Sequence, residues 1–207
     1  MTPPTHKPRV LIGLTGLAGS GKDTVAQALT QQWTAAGHSW DVLPFAYTLK
    51  RMAIVYLEDH GVPNAEQWVT DPVLKNTVIP EIGVSPRHIM QTLGTEWGQQ
   101  CIGRDSWIKL LGLRLNAALS RGVTHVAITD ARFSVEADWV RAQGGKIWRI
   151  ERPGVAPVRE HVSEAGVAHV KADRVIHNTG TLEDLSKSVR YELAVLNYEQ
   201  TGLAGHP

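Results

Sequence analysis

Apolar residues recur along this chain in two rhythms. Short, nearly unbroken apolar runs bounded by glycine or polar residues lie at Arg9–Thr15, Ser39–Ala46 ("SWDVLPFA"), Val123–Asp130 ("VTHVAITD"), Lys146–Ile150 ("KIWRI") and Asp173–Asn178 ("DRVIHN"). Runs of this kind suit buried parallel strands better than strands with one wet face. Between them the apolar positions fall at helical spacing. Val25, Ala28, Leu29 and Trp33 share one face of Thr24–Trp33, and Leu49, Met52, Ala53 and Leu57 mark a second helix. Further helices are predicted around Pro86–Leu93, over Arg104–Ala118, over Val135–Gln143 with Gly144-Gly145 closing it, and from about Leu182. Thr181 and Asp184 are placed like a capping box at the start of that last helix. Residues 61–100 are richer in Gly, Pro and polar residues, while 1–8 and 201–207 read as tails.

Strands alternating with helices predict an α/β fold: a parallel sheet covered on both faces, with right-handed crossovers. Ligands of such sheets lie beyond the carboxyl ends of the strands. The glycines after the first strand, Phe45 after the second, Asp130 after the third and Arg152 after the fourth all fall on that edge. At 207 residues and 43% hydrophobic content, one domain with local insertions is expected.

Charge and cysteine content narrow the function. Twenty-one basic residues against twenty acidic ones give +1, so no overall positive field argues for a nucleic acid partner. Cys101 is the single cysteine, which excludes an internal disulfide and a Cys-rich metal site. No stretch reaches the roughly 18 apolar residues of a membrane span, and no apolar core follows the N-terminal "MTPPTHKPR" before the first strand. The expectation is a soluble, cytoplasmic protein with no membrane partner.

The first strand runs into "GLTGLAGSGKDTVAQAL". Gly16 to Lys22 has the G-x-x-x-x-G-K spacing of a phosphate-binding loop, in the strand-turn-helix context that the motif requires. Gly16, Gly19 and Gly21 let backbone N–H groups, those of Ala18 and Ser20 among them, approach phosphate oxygens; the following helix adds its positive end. Lys22 is placed for the terminal phosphates of an ATP donor. Asp23 stands where Ser or Thr normally follows the lysine. The order Lys22-Asp23-Thr24 resembles the loop of adenylate kinase and other nucleoside monophosphate kinases. In that arrangement Thr24 binds a phosphate, and Mg²⁺ is held mainly by phosphates and water, with Asp23 or Thr24 as its protein contact. Asp23 has the plainer alternative of complementing the helix N-terminus.

Behind the loop come, in order, "LPFAYTLK", "RHIMQTLGTEWG", "RDSW", "ITDARFSVEADWVRAQGGKIWRIERPG", "HVSE" and "NTGTLEDL". This set, spanning about residues 9–195, resembles the deoxynucleoside monophosphate kinase family known mainly from bacteriophages. The resemblance implies a P-loop kinase with a five-stranded sheet in the order 2-3-1-4-5, an acceptor-binding insertion at 45–118 and a lid at 151–166. It also implies transfer of the ATP γ-phosphate to a deoxynucleoside monophosphate. A phosphate dianion calls for clustered cations, and Lys50, Arg51, Arg87, Arg104 and Arg132 lie in or beside the matching segments, Arg51 in a register that turns it outward. Phe45, Trp97 and Trp107 are candidates for stacking on the acceptor base, with Gln91, Thr95 and Asp105 as readers of its edge; the alternative is that the rings fill the core, Trp107 above all. Asp130 closes its strand in the position of a Walker-B-like carboxylate, able to pair with Arg132 or hold a Mg²⁺ water. The family often carries an arginine just after "GTEWG", where this chain has Gln99.

In the lid segment, Arg152 is the first candidate for the transferring phosphoryl group and Arg159 the second. His161 and Glu164 suit a local hydrogen bond. Asn178 to Thr181, Gly180 included, resembles the loop bordering the donor adenine. No His/Cys cluster supports a metal ligand set. Two rivals stay open: a dephospho-CoA kinase-like enzyme, and a P-loop ATP-binding regulatory protein acting through a partner. The accepted bases and the oligomeric state are also open, and a homodimer is compatible with the sequence. A phage-encoded chain would act in the host cytoplasm.

Overall fold

β1 (Val10–Thr15) is buried at all six positions and sits in the middle of a five-stranded parallel sheet. After the loop, α1 (Lys22–Ala35) covers one face; the chain then forms β2 (Trp40–Val42), α2 (Tyr47–Asp59), α3 (Ala65–Thr70), α4 (Pro86–Thr92) and α5 (Ser106–Ser120). β3 (His125–Ile128), α6 (Ser134–Ala142), β4 (Lys146–Glu151), α7 (Val162–His169), β5 (Arg174–His177) and α8 (Leu182–Thr201) complete it. The strand order is β2-β3-β1-β4-β5, as the resemblance implies. In this computed structural model, which describes residues 7–155 and 162–201, the chain divides into two units. One comprises the residues up to 44 and from 114 onward; the other is 45–113.

The first unit contains the sheet. Ile12, Leu14, Trp148 and Ile150 pack with Val25, Leu29 and Trp33 of α1 and with Leu185, Val189 and Leu193 of α8. This is the core that the unbroken apolar runs predict, because a parallel strand covered on both faces has no position to spare for a polar side chain. β1 pairs with β3 so that Gly13 lies opposite Ile128, and with β4 so that Thr15 lies opposite Arg149. The carboxyl ends of the three central strands therefore finish side by side.

The strand predicted at Ser39–Ala46 is shorter than expected, with only Trp40–Val42 in the ladder. The Leu43 N–H still reaches the Ala127 carbonyl at 2.8 Å. Pro44 has no N–H to continue with, and α2 starts three residues later.

The second unit has no strand. Ala53, Leu57, Val62, Ala65, Val69 and Ile79 form its core, with Ile54, Trp68 and Met90 packed against it. The segment 61–100, left largely without elements by the sequence pattern, holds α3, a 3₁₀ turn at Leu74–Asn76, α4 and a π-helical stretch at Leu93–Ile102. These pieces are too short or too wide-wound to show a 3.6-residue rhythm. α7 is a further helix the pattern did not predict, overlapping the end of the 151–166 segment.

Candidate functional site

The loop after β1 bends through three glycines in left-handed backbone, at φ 143° (Gly16), 80° (Gly19) and 104° (Gly21). Two of them are also fixed by space. A Cβ on Gly16 would lie 2.5 Å from the Ile150 carbonyl oxygen, and one on Gly21 would lie 2.5 Å from Nδ2 of Asn178. No side chain caps the N-terminus of α1, whose cap residue is Gly21. A helix start with no side-chain cap after a glycine-rich turn is the form that a phosphate loop takes. The Lys22 ammonium folds over the loop and donates to the carbonyls of Gly16 at 2.7 Å and Leu17 at 2.8 Å. Asp23 is exposed and Thr24 half-buried on the first turn of α1. Ser20 is buried, and its hydroxyl makes no hydrogen bond.

Asn178, at the end of β5, braces the loop. Its side-chain amide donates to the Ser20 carbonyl at 2.9 Å, and its backbone N–H donates to the Glu151 carbonyl at 2.7 Å. Gly180 sits tight against Asp184, whose carboxylate accepts from Thr181 N–H at 3.0 Å and Thr181 O–H at 2.7 Å. The capping box expected there is present; Asp184 N–H returns a bond to the Thr181 hydroxyl at 3.2 Å. Those bonds hold the Asp184 carboxyl below the usual carboxylate range.

A turn at the end of β3 carries Asp130 and Arg132, both half-buried. Ala131 N–H donates to the Leu14 carbonyl of β1 at 3.0 Å, tying this turn to the strand that feeds the loop. Arg132 and Phe133 donate their N–H groups to one carboxylate oxygen of Glu136, at 2.7 and 3.1 Å. All three N–H groups are thus spent inside the protein, which leaves the Asp130 and Arg132 side chains as the charged groups that this turn can offer a ligand. Glu136, 6% exposed, is a residue the sequence reading passed over. Burial pushes its carboxyl up to about 8, with the Asp130 charge acting in the same direction, while the two backbone donors and the Arg132 guanidinium pull the other way. A Glu three residues after the position preceding a helix was the available signal, since it is half of a capping box.

In the second unit, Trp97 is 42% exposed, whereas Phe45 and Trp107 are only 5% and 6% exposed. Trp97 alone of the three stacking candidates presents an open ring. Trp107 is corrected to a core residue: its indole N–H donates to the Gly94 carbonyl at 2.8 Å, and a Cβ on Gly98 would come within 2.4 Å of its ring. Asp105 pairs with Lys109 at 2.9 Å, an exposed helical i,i+4 pair whose hydrogen bond lowers the Asp105 carboxyl. That contact, not a base edge, is what it makes here. Arg87 donates through Nε to Asn76 Oδ1 at 2.6 Å. Lys50, Gln91 and Gln99 are half-buried, Thr95 is buried, and Arg51 and Arg104 are exposed, Arg51 lying 5.9 Å from the centre of the Tyr47 ring.

Arg152 is exposed directly after β4. Arg159 and His161 lie outside the described residues, as does the Glu164 side chain. Among the described residues no cluster of three His, Cys, Asp or Glu suits a metal ion, and no helix is long and apolar enough to cross a membrane.

A family model described as deoxynucleotide monophosphate kinase matches residues 46–189, from α2 through the Asp130–Phe133 turn and into α8. The chain belongs to the deoxynucleotide monophosphate kinase family. It is 34% identical over 112 residues to the deoxynucleotide monophosphate kinase of Enterobacteria phage T4, across 54% of this chain and 46% of that protein. The enzyme of the same name from Escherichia phage RB69 is 31% identical over 105 residues, across 51% of this chain and 43% of that protein. The chain thus spans less than half the length of these two phage relatives. A relative from Acanthamoeba polyphaga mimivirus is 29% identical and aligns over 87% of this chain and 94% of its own length. Within the family match fall the Asp130–Phe133 turn, its buried Glu136 and Asn178, whereas the phosphate loop at Gly16–Thr24 precedes it.

Proposed function

We propose that this protein transfers the γ-phosphoryl group of ATP to a deoxynucleoside monophosphate, giving ADP and the deoxynucleoside diphosphate. The observation that carries this reading is the union of two features at one sheet edge. The Gly16–Thr24 loop leaves β1, and the Asp130–Arg132 turn, hydrogen-bonded back to β1 at Leu14, leaves the neighbouring strand β3. The first has the sequence and backbone of a phosphate loop, and the second carries an arginine and a carboxylate on the adjacent strand end.

Phosphoryl transfer asks the protein for positioning and charge neutralisation more than for covalent chemistry. The loop N–H groups and the open start of α1 bind the donor phosphates. Lys22 exchanges the neutral carbonyls of Gly16 and Leu17 for phosphate oxygens, a stronger charge-assisted partner. Arg132 takes the acceptor phosphate and keeps one of its oxygens in line with the γ-phosphorus as the bond to the leaving ADP oxygen breaks. Arg152 and Arg159 serve the transferring group, and Arg87, Lys50 and Arg104 add acceptor-side charge. Trp97 supplies the open face for the base, with Gln91 and Thr95 at its edge, while the Phe45 ring supports this region from the core; Asn178 and Gly180 lie at the donor adenine.

Mg²⁺ fits the first turn of α1, where the Asp23 carboxylate and the Thr24 hydroxyl are hard oxygen donors beside Lys22 and Asp130 is a further carboxylate on the same edge. Held by these residues together with the donor, Mg²⁺ would supply charge neutralisation at the donor phosphates. The test is a panel of purified protein, ATP and Mg²⁺ with each deoxynucleoside monophosphate, and the ribonucleotides as controls. Diphosphate formed mole for mole with ADP is expected. ATP turnover indifferent to every monophosphate would overturn the reading.

A further inference from the structure

The turn that bears Arg132 is gripped on two sides by residues that need not touch a substrate. On the N–H side, the buried Glu136 carboxylate accepts from Arg132 and Phe133 through a single oxygen. On the carbonyl side, Gly166 of α7 lies so close that a Cβ there would stand 2.7 Å from the Arg132 carbonyl oxygen and 3.0 Å from the Phe133 ring. α7 is itself fastened at its far end. The Ser134 hydroxyl donates to the His169 carbonyl at 3.2 Å, and the Arg149 guanidinium of β4 donates to the Val170 carbonyl. The helix cannot easily retreat if Gly166 acquires a side chain.

We propose that Glu136 and Gly166 are positioning residues: together they fix the backbone of Arg132 and so the direction in which its guanidinium leaves the turn. This rests on the reading that Arg132 holds a phosphate. Displacement of a clamp by about 1 Å is enough to cost up to a hundredfold in rate, and neither residue has to meet the nucleotide for that to happen.

The test measures steady-state kinetics and melting temperature for Gly166→Ala, Glu136→Ala, Glu136→Gln and Arg132→Ala. Gly166→Ala and Glu136→Ala are expected to lower kcat about tenfold or more in folded protein, with the KM for ATP within about twofold of the parent. Glu136→Gln keeps an oxygen for both N–H groups and should stay within about threefold. Because both residues act through Arg132, adding Gly166→Ala to Arg132→Ala should bring little further loss.

A Gly166→Ala protein that melts lower but turns over at the parent rate overturns the inference, as does full additivity with Arg132→Ala. Should Glu136→Ala fail to fold, the Gly166→Ala results decide. Parent-level turnover in Arg132→Ala overturns the site reading and this inference together, whereas loss in Arg132→Ala beside normal rates in the other variants overturns this inference alone.

Discussion

Helix α1 begins at a glycine in left-handed backbone with no side chain over its first N–H groups, whereas α4 begins with Ser85, whose hydroxyl accepts from His88 N–H at 3.3 Å, and with Pro86 at its first position. Both ends face the same physical demand, since the opening N–H groups of any helix lack partners within it. α4 meets part of the demand with a side chain of its own, and α1 has no side-chain cap. In the turn after β3 the N–H groups of Ala131, Arg132 and Phe133 each have a protein acceptor. Along one sheet edge, then, a helix start without a side-chain cap follows β1, and a turn whose Ala131, Arg132 and Phe133 N–H groups have protein acceptors follows β3. In the proposed function the loop is where phosphate meets main chain, and the turn is where it meets Arg132.

The largest expected break in this contrast is Lys22→Ala. It should lower turnover by about 10²–10³-fold, or about 3–4 kcal/mol at the transition state, in a protein that melts normally; a rate near the parent's would remove Lys22 from the chemistry.

A stability measurement probes the closed turn. Glu136 is held protonated in the folded state up to about pH 8, against an ordinary value of 4.5. The folded protein therefore binds more protons than the unfolded chain between those values, and stability falls as pH rises across that window. Relative to Glu136→Gln, which cannot ionise, the parent should lose on the order of a few kcal/mol between pH 5 and 8 in urea melts. A constant difference across the range would mean that Glu136 titrates like a surface carboxylate.

In the 45–113 unit the effects should be smaller. Trp97→Ala is expected to raise the acceptor KM about tenfold, since stacking of a base on an aromatic ring is worth about 1–3 kcal/mol. Phe45→Ala should chiefly lower the melting temperature, its ring being buried. The reverse pattern in the two variants would exchange their assignments. Smallest of all is Asp105→Ala, which should leave acceptor KM unchanged because the carboxylate is engaged with Lys109; a raised KM would restore it as a base-edge reader.

The phosphate loop was legible because its requirements are local: glycines for left-handed backbone, a lysine at fixed spacing, an apolar strand before and an amphipathic helix after. The strands of the sheet were legible for a related reason, since burial on both faces writes an unbroken apolar run. For Trp107 the chain left a stacking ring and a core residue both open, and the fold buries it, because a tryptophan's burial depends on what folds over it, here Gly94 and Gly98 of the π-helical stretch. Glu136 was missed for the opposite reason. A glutamate near a helix start reads as a solvated cap, and only the packing around it makes it a buried carboxyl beside Asp130 and Arg132.

What the sequence by itself determined was therefore the chemistry on offer and the succession of strands and helices along the chain that presents it. Short-range spacing and covalent order carry both. The tertiary structure alone decided which backbone donors of the Arg132 turn are consumed within the fold, and which aromatic rings keep an exposed face. It also decided that a glycine of α7, far along the chain, closes on the Arg132 turn. Those are questions of which atoms come within a few ångströms across the fold, and no spacing along the chain contains that information.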